Sequence, residues 1–96
     1  MGAGFAGLVC KMTKEERANY SNAKQKILSE VPANRSIKWE NPDTEVSANF
    51  VPKEEFKNDD GVVCRKMDVE LNVRSEVDKN TEMHCLNPDN GKWEII

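Results

Sequence analysis

The stretch V62-V-C-R-K-M-D-V-E-L-N-V73 is the clearest run of alternating apolar and polar residues in the chain, and it is the strongest indication of the fold class. Successive residues of an extended strand point to opposite faces, so every second side chain shares a face. One face of this run collects its apolar residues, which are Val63, Met67, Val69, Leu71 and Val73. The period of two predicts a β-strand with one face against a core.

Two weaker strand patterns precede this run. Ile37 and Trp39 alternate with charged residues until N41-P-D43, which is a turn signal. Val46–Val51 has the composition of a second strand, and we expect Pro52 to end it. No helical segment separates these strands from each other, so the pattern predicts antiparallel neighbours and no βαβ unit.

Two further strand patterns follow it. A loop around Arg74 to Lys79 is expected to return the chain to T81-E-M-H-C-L86. The turn N87-P-D-N-G91 then leads into W93-E-I-I96, with Gly91 supplying the positive φ of a hairpin loop. The same loop resembles a fragment of a calcium site, but the closing glutamate of an EF-hand is missing at the required spacing.

An amphipathic helix is predicted before the strands, from Thr13 to Glu30. Thr13 and Glu16 have the spacing of a capping box, no Gly or Pro interrupts the stretch, and Pro32 follows it. We expect its single apolar face to pack on the sheet, and a partner site on that face is the alternative. The fold class is therefore α+β: an N-terminal helix packed on an antiparallel sheet of four to five strands, with 1–12 as a glycine-rich segment and 13–96 as the domain.

The composition excludes several classes of protein. The chain has 96 residues, a net charge of −3 and a pI near 5.2, which argues against an electrostatic nucleic-acid binder. No apolar run is long enough for a membrane-spanning helix, which needs about 18 residues. The start MGAGFAGLV lacks the charged region of a secretory signal, so we expect no export signal in the chain as written.

No catalytic, cofactor or metal site is predicted. The one histidine, His84, precedes Cys85, and neighbours on a strand point to opposite faces, so the pair cannot easily share a metal. No CxxC motif is present, and GAGFAG has no preceding strand that would make it a dinucleotide fingerprint. We interpret His84 as a surface strand residue and expect no enzyme activity, no cofactor and no evident small-molecule substrate.

Cys64 and Cys85 lie in neighbouring predicted strands. A two-residue turn at Arg74 and Ser75 would place them opposite each other at a non-hydrogen-bonded position, where Cα atoms approach to about 4.5 Å, within reach of a disulfide. The same register places Met67 opposite a glutamate, Glu82. A slip of one residue aligns two methionines but offsets the cysteines, and a bulge near Arg65 satisfies both pairings. Two reduced core cysteines in a cytosolic protein are the alternative.

The residues from W39-E-N-P-D43 through Pro52, Cys64 and Cys85 to G91-K-W93 resemble the outer-membrane surface antigen family, the rickettsial seventeen-kilodalton common antigen and its proteobacterial relatives. The resemblance covers roughly 18–96. Family members are typically exported lipoproteins in which a glycine-zipper segment precedes a helix and this small domain. The family usually has glycines at the Arg74–Ser75 pair, so a longer loop there is the alternative to a two-residue turn.

The resemblance implies a non-enzymatic structural protein of the cell envelope, at the outer membrane or in the periplasm, that contacts other envelope proteins or the membrane surface. Cys10 is a candidate lipid-attachment site, although Val9 departs from the lipobox pattern. A small accessory subunit of a large envelope-spanning assembly, such as a secretion system, is the alternative function. Tyr20, Trp39 and Trp93 are the candidate partner contacts. A third class, a small inhibitor or ligand-binding module, has no site in the sequence.

Overall fold

The computed structural model of the chain describes residues 8–41 and 43–96. Of the described residues, 8–10 and α1 (Lys14–Glu30) are helical, and α1 precedes five strands: β1 (Ile37–Glu40), β2 (Val46–Lys57), β3 (Val63–Val73), β4 (Glu76–Asn87) and β5 (Lys92–Ile95). The strands form one antiparallel sheet in the order in which they occur along the chain. The predicted fold class, a helix on an antiparallel sheet, is therefore confirmed. Of the residues described, none belongs to a helix with the length and apolar character needed to cross a membrane.

The helix begins at the predicted cap. The Thr13 hydroxyl accepts from the backbone N–H of Glu16 at 3.1 Å, and the Glu16 carboxylate accepts from the backbone N–H of Thr13 at 2.8 Å. These bonds satisfy two N–H groups that have no partner within a helix. The helix ends where Val31 becomes extended and donates to the carbonyl of Ile27, and Pro32 follows.

The prediction that Pro52 ends the second strand is wrong, because β2 continues to Lys57. Pro52 lies opposite Met67 of β3, and its carbonyl points to the other side, where it accepts from the N–H of Asn34 at 2.7 Å. Proline therefore stands where a backbone N–H would not bond to β3, so the ladder loses no hydrogen bond. The register shifts between Pro52 and Glu55, which places the sheet's bulge here.

The turn between β3 and β4 has two residues. Arg74 and Ser75 have φ values of 45° and 80°, as a tight hairpin turn requires, and β4 begins at Glu76. The predicted loop from Arg74 to Lys79 is therefore wrong, whereas the two-residue turn is confirmed. The register continues without a shift from this turn to Cys64, so the bulge considered near Arg65 is absent from this pair of strands.

The turn N87-P-D-N-G91 connects β4 to β5 as predicted, with Gly91 at a φ of 71°. Two asparagines order it: the Asn87 side chain accepts from the N–H of Asp89, and the Asn90 side chain accepts from that of Lys92. Asparagine and aspartate oxygens commonly stabilise turns in this way.

The core lies between α1 and one face of the sheet. Tyr20, Ile27 and Leu28 of α1 cover a sheet face whose buried apolar residues are Val46, Ala48, Phe50, Met67, Val69, Leu71, Val73 and Trp93. Leu8 and Met12, at the end of the predicted glycine-rich segment, also belong to this core. Trp39 is only half-buried, because β1 is short and lies at the sheet's edge.

Candidate functional site

Cys64 and Cys85 form a disulfide that joins the start of β3 to the end of β4. They lie directly opposite each other in the sheet, with Cα atoms 4.0 Å apart. Both residues are buried, and strand alternation places them on the sheet face away from α1. The predicted pairing is present in the structure, and the alternative of two reduced cysteines is not.

The other residues singled out in the sequence lie in different places. Cys10 is an exposed free cysteine. Tyr20 and Trp93 are buried, and Trp39 packs beside Tyr20 with 5.7 Å between ring centroids. Lipid attachment at Cys10 and partner contacts at the three aromatic residues stay predictions. The predicted glycine-zipper segment falls largely on residues 1–7, which lie outside the described residues.

A cleft of about 480 Å³ lies between α1 and the sheet where β3, β4 and β5 run side by side. Tyr20 and Trp93 line it, whereas Trp39 does not. Trp93 is held in the wall by α1, since Gln25 donates to its carbonyl and accepts from its N–H, and Ser29 accepts from its indole N–H. The rest of the apolar lining includes Val69, Leu71 and Ile95.

The polar wall of the cleft contains a buried charge cluster. The Lys24 Nζ and the His84 Nε2 lie 2.7 Å and 2.9 Å from the same oxygen of Glu82. Burial raises the pKa of Glu82, but the hydrogen bond from His84 and the positive charge of Lys24 outweigh that effect and lower the pKa below 4.5. Glu82 is therefore a carboxylate at neutral pH, with both neighbours donating to it.

His84 is 2% exposed, so its interpretation as a surface strand residue is wrong. It shares the helix-facing side of β4 with Glu82, and α1 covers both. The sequence contains one signal of this arrangement, because the register set by the disulfide places Met67 opposite Glu82. A glutamate opposite a core methionine faces the core and requires a partner there. That partner is Lys24, and no local pattern in the sequence indicates it.

Two buried polar atoms beside the cleft have no hydrogen-bond partner among the described residues: Asp78 Oδ2 and His84 Nδ1. A carboxylate oxygen only accepts, so the His84 Nε2 next to Glu82 carries the hydrogen. Asp78 Oδ2 is an acceptor and therefore lacks a donor among the described residues. No three His, Cys, Asp or Glu side chains are grouped as metal ligands within 8–41 and 43–96.

Arg74 attaches the start of the helix to the β3–β4 turn. Its guanidinium donates to Glu16 at 3.1 Å and to the carbonyl of Lys11 at 2.8 Å. The hydrogen bond from Arg74 and that from the Thr13 backbone lower the pKa of Glu16 from 4.5 to about 2. The side chain of Arg74 thus explains an arginine at a position whose positive φ favours glycine.

Arg65 attaches the end of the helix to β3. It is 4% exposed, and it donates to the carbonyl of Leu28 at 2.7 Å and to that of Lys53 at 2.8 Å. The last turn of α1 contains no basic residue of its own. Arg65 supplies the positive charge that favours a helix C-terminus and satisfies a carbonyl that the helix leaves without a partner.

These features define a class of protein: a small α+β domain, one helix on a five-stranded antiparallel meander, with a disulfide across its central hairpin. The chain belongs to the family described as 17 kDa outer membrane surface antigen, whose sequence model matches residues 26–94. The resemblance seen in the sequence is thereby confirmed. No curated protein and no solved structure matches the chain.

Proposed function

We propose that this chain is a non-catalytic domain of the bacterial cell envelope that works by contact with other envelope proteins or with the outer-membrane surface. The observation that carries the proposal is the buried disulfide between Cys64 and Cys85. Disulfides form and persist in oxidising compartments such as the periplasm and the cell surface, and they are rare in the cytosol. Membership of an outer-membrane antigen family supports the same compartment.

The buried ionisable groups support a structural role for the cleft. Lys24 and Glu82 neutralise each other, and His84 donates to the same carboxylate. Glu16 is likewise bound to Arg74. Side chains held in this way stabilise the packing of α1 on the sheet, which is the role expected of a domain whose function is to present a fixed surface.

The test is the state of the three cysteines in cells that naturally make the protein. Thiols are blocked with N-ethylmaleimide as the cells are opened, membranes are separated, and the intact protein is weighed without reduction. We expect it in the outer-membrane or periplasmic fraction, with Cys64 and Cys85 unmodified and two hydrogens missing. Alkylation of both residues in protein from that fraction would overturn the proposal.

Cys10 provides the internal control, because it is exposed and free. It should carry either the alkyl group or the mass of an acyl chain, and both results agree with an envelope location. A Cys10→Ser variant should lose that mass and keep the disulfide.

An accessory subunit of a larger envelope assembly is the second candidate function. It is favoured by the edge of β4, part of which pairs with no strand in the described ranges 8–41 and 43–96, because strand edges commonly bind other chains. This candidate predicts copurification with the same partners at fixed stoichiometry from detergent-solubilised membranes. Recovery of the chain alone, after crosslinking in intact cells, would exclude it.

A further inference from the structure

The outer edge of β4 is paired over only part of its length. β5 pairs with the segment from His84 to Asn87, and the N–H of Ile96 donates to the carbonyl of Met83 at 3.1 Å. The opposite edge of β4 is bonded to β3 from Glu76 to Cys85. Among the described residues, no strand pairs with the first half of β4 on the side where β5 pairs with its second half.

The groups exposed on this edge follow from the pairing pattern. The two-residue turn makes Glu76 a hydrogen-bonded partner of β3, so alternate residues after it also bond to β3. The N–H and C=O groups of the residues between them, Val77, Lys79 and Thr81, point outward. Within the described parts of the chain no backbone group pairs with these three, and all three residues are exposed.

Alternate side chains of an added strand would point into the cleft. Asp78, Asn80 and Glu82 line the cleft from β4, so alternate side chains of a strand beside them would also point into the cleft. Asp78 Oδ2 has no hydrogen-bond partner among the described residues, and because this atom is itself buried, a donor has to reach it through the cleft that Asp78 lines. Farther into the cleft, His84 Nδ1 is a second buried polar atom without a partner in the described part of the chain.

The two carboxylates that line the cleft differ in their partners. Glu82 is paired with Lys24, whereas Asp78 forms no ion pair with the described residues, and Arg17 donates to the neutral carbonyl of Met12 at 2.9 Å. Asp78 is therefore the carboxylate of the cleft that can accept a basic group of a ligand. The apolar surface around it includes Leu71 and Ile95, which suits the methylene groups of a long basic side chain.

We propose that the free edge of β4 binds an extended segment of another protein as a sixth strand, with a lysine or arginine side chain of that segment entering the cleft beside Asp78. Backbone hydrogen bonds to Val77, Lys79 and Thr81 supply the affinity, and the basic side chain supplies the selectivity. This inference names the partner chemistry for the contact role proposed above and rests on that role.

The test uses the full, oxidised chain and a synthetic nine-residue peptide. The peptide has threonine at its odd positions, and valine alternates with lysine at its even positions. Binding is followed by the fluorescence of Trp93, which lines the cleft, and by the NMR amide signals of Val77, Lys79 and Thr81. We expect saturable binding in which these amides become protected from solvent exchange, and no binding of a peptide with glutamate in place of lysine. Absence of saturable binding would overturn the proposal.

A matched pair of proline variants tests the strand edge itself. Lys79→Pro removes an outward N–H from the β4 edge, whereas Lys38→Pro removes one from the opposite edge of the sheet, on β1. We expect Lys79→Pro to weaken binding by about tenfold or more and Lys38→Pro to leave it unchanged. A peptide N-methylated at alternate residues makes the same test on the unaltered protein, so the result does not depend on whether the variants fold.

The side-chain contact is tested with Asp78→Asn, which removes the charge and keeps the shape. Affinity for the lysine peptide should fall about tenfold, as expected for a charge-assisted hydrogen bond. Equal affinity in the two proteins would contradict the inference. A dimer of the chain that dissociates in Lys79→Pro would also overturn it, since a second copy would then be the occupant. Reduced cysteines in the native envelope would instead overturn the proposed function and leave the peptide result standing.

Discussion

At the scale of single residues, two arginines of the sheet hold the two ends of the helix. Arg74 bonds to Glu16 in the first turn of α1, and Arg65 bonds to the carbonyl of Leu28 in the last. Each arginine meets a helix end at which backbone groups lack intrahelical partners. Neither contact was predicted from sequence, because residues 58 and 37 positions apart give no local signal of their proximity.

Replacing Arg65 with Met keeps the packing volume and removes the donors. The carbonyls of Leu28 and Lys53 then lose a charged partner, which should lower the free energy of unfolding by about 1–3 kcal/mol. Arg65→Lys retains the charge but not the forked arrangement of donors. Its free energy of unfolding should lie between those of Arg65→Met and the original protein. Urea unfolding measures all three, and an unchanged midpoint for Arg65→Met would show that water replaces the guanidinium at no cost.

The buried pair of Lys24 and Glu82 gives a prediction for a mutant cycle. Lys24→Met leaves a buried carboxylate without its cation and should destabilise the protein by about 3 kcal/mol. Adding Glu82→Gln to this variant removes the stranded charge, and the double variant should recover part of the loss. Urea unfolding of the two single variants and the double variant measures the coupling. Additive losses would mean that Lys24 and Glu82 do not interact in solution.

The lowered pKa values of three carboxyl groups predict that the stability of the protein depends on pH. Glu16 has a pKa of about 2 in the folded protein against 4.5 as its ordinary value, and the pKa values of Glu82 and Asp68 are lowered too. The unfolded chain therefore takes up protons first as the pH falls. Stability from these groups is complete above about pH 5 and is lost towards about pH 2. The midpoint of unfolding should fall as the pH decreases through this range, and it should fall less steeply in Glu16→Gln.

At the scale of elements, the sequence predicted most where a local pattern determines the structure. The capping box at Thr13 fixes the start of the helix, and the alternation from Val63 to Val73 fixes the central strand. The extent of β2 was underestimated because proline usually ends a strand, and only the position of β1 shows that Pro52 has no ladder bond to lose. The cleft, likewise, depends on contacts between α1 and β4, which no local pattern encodes.

Variants of the two residues in the turn between β3 and β4 distinguish the effect of backbone strain from that of side-chain contacts. Ser75 has a φ of 80°, and its side chain forms no hydrogen bond with the described residues, so Ser75→Gly should relieve strain and stabilise the protein by about 0.5 kcal/mol. Arg74→Gly relieves similar strain but removes the bonds to Glu16 and Lys11, so it should destabilise the protein. Thermal unfolding of the two variants checks the opposite signs. Stabilisation by both would mean that the arginine contacts contribute little.

At the scale of the whole molecule, the central hairpin is the part to which the other elements attach. β2 and β4 lie on either side of β3, and the disulfide closes the β3–β4 hairpin at its open end. The helix α1 is bonded to β3 through Arg65 and to the following turn through Arg74. A domain of this size buries a limited core, so a covalent link contributes a large part of its stability. The helix then depends on the hairpin being intact.

The disulfide should contribute measurably to the stability of the domain. Cys64 and Cys85 are 21 residues apart, and in the loop-entropy model a closed loop of this length stabilises the folded state by about 3 kcal/mol. Cys64→Ser combined with Cys85→Ser should therefore lower the melting temperature by about 10–20 °C. The matched control is Cys10→Ser, which removes an exposed thiol and should melt as the original does. Reducing agent should lower the melting temperature of the original protein and of this control alike.

If the other elements depend on the β3–β4 hairpin, loss of the disulfide should also affect structure outside these two strands. The indole N–H of Trp93 is bonded to Ser29 of the helix, so its fluorescence reports the packing of α1 on the sheet. In the double cysteine variant this signal and the circular dichroism of the helix should be lost together, in one transition at the lower temperature. If the helix unfolds before the sheet, α1 is not held in place through the disulfide-linked hairpin, and its expected dependence on that hairpin is wrong.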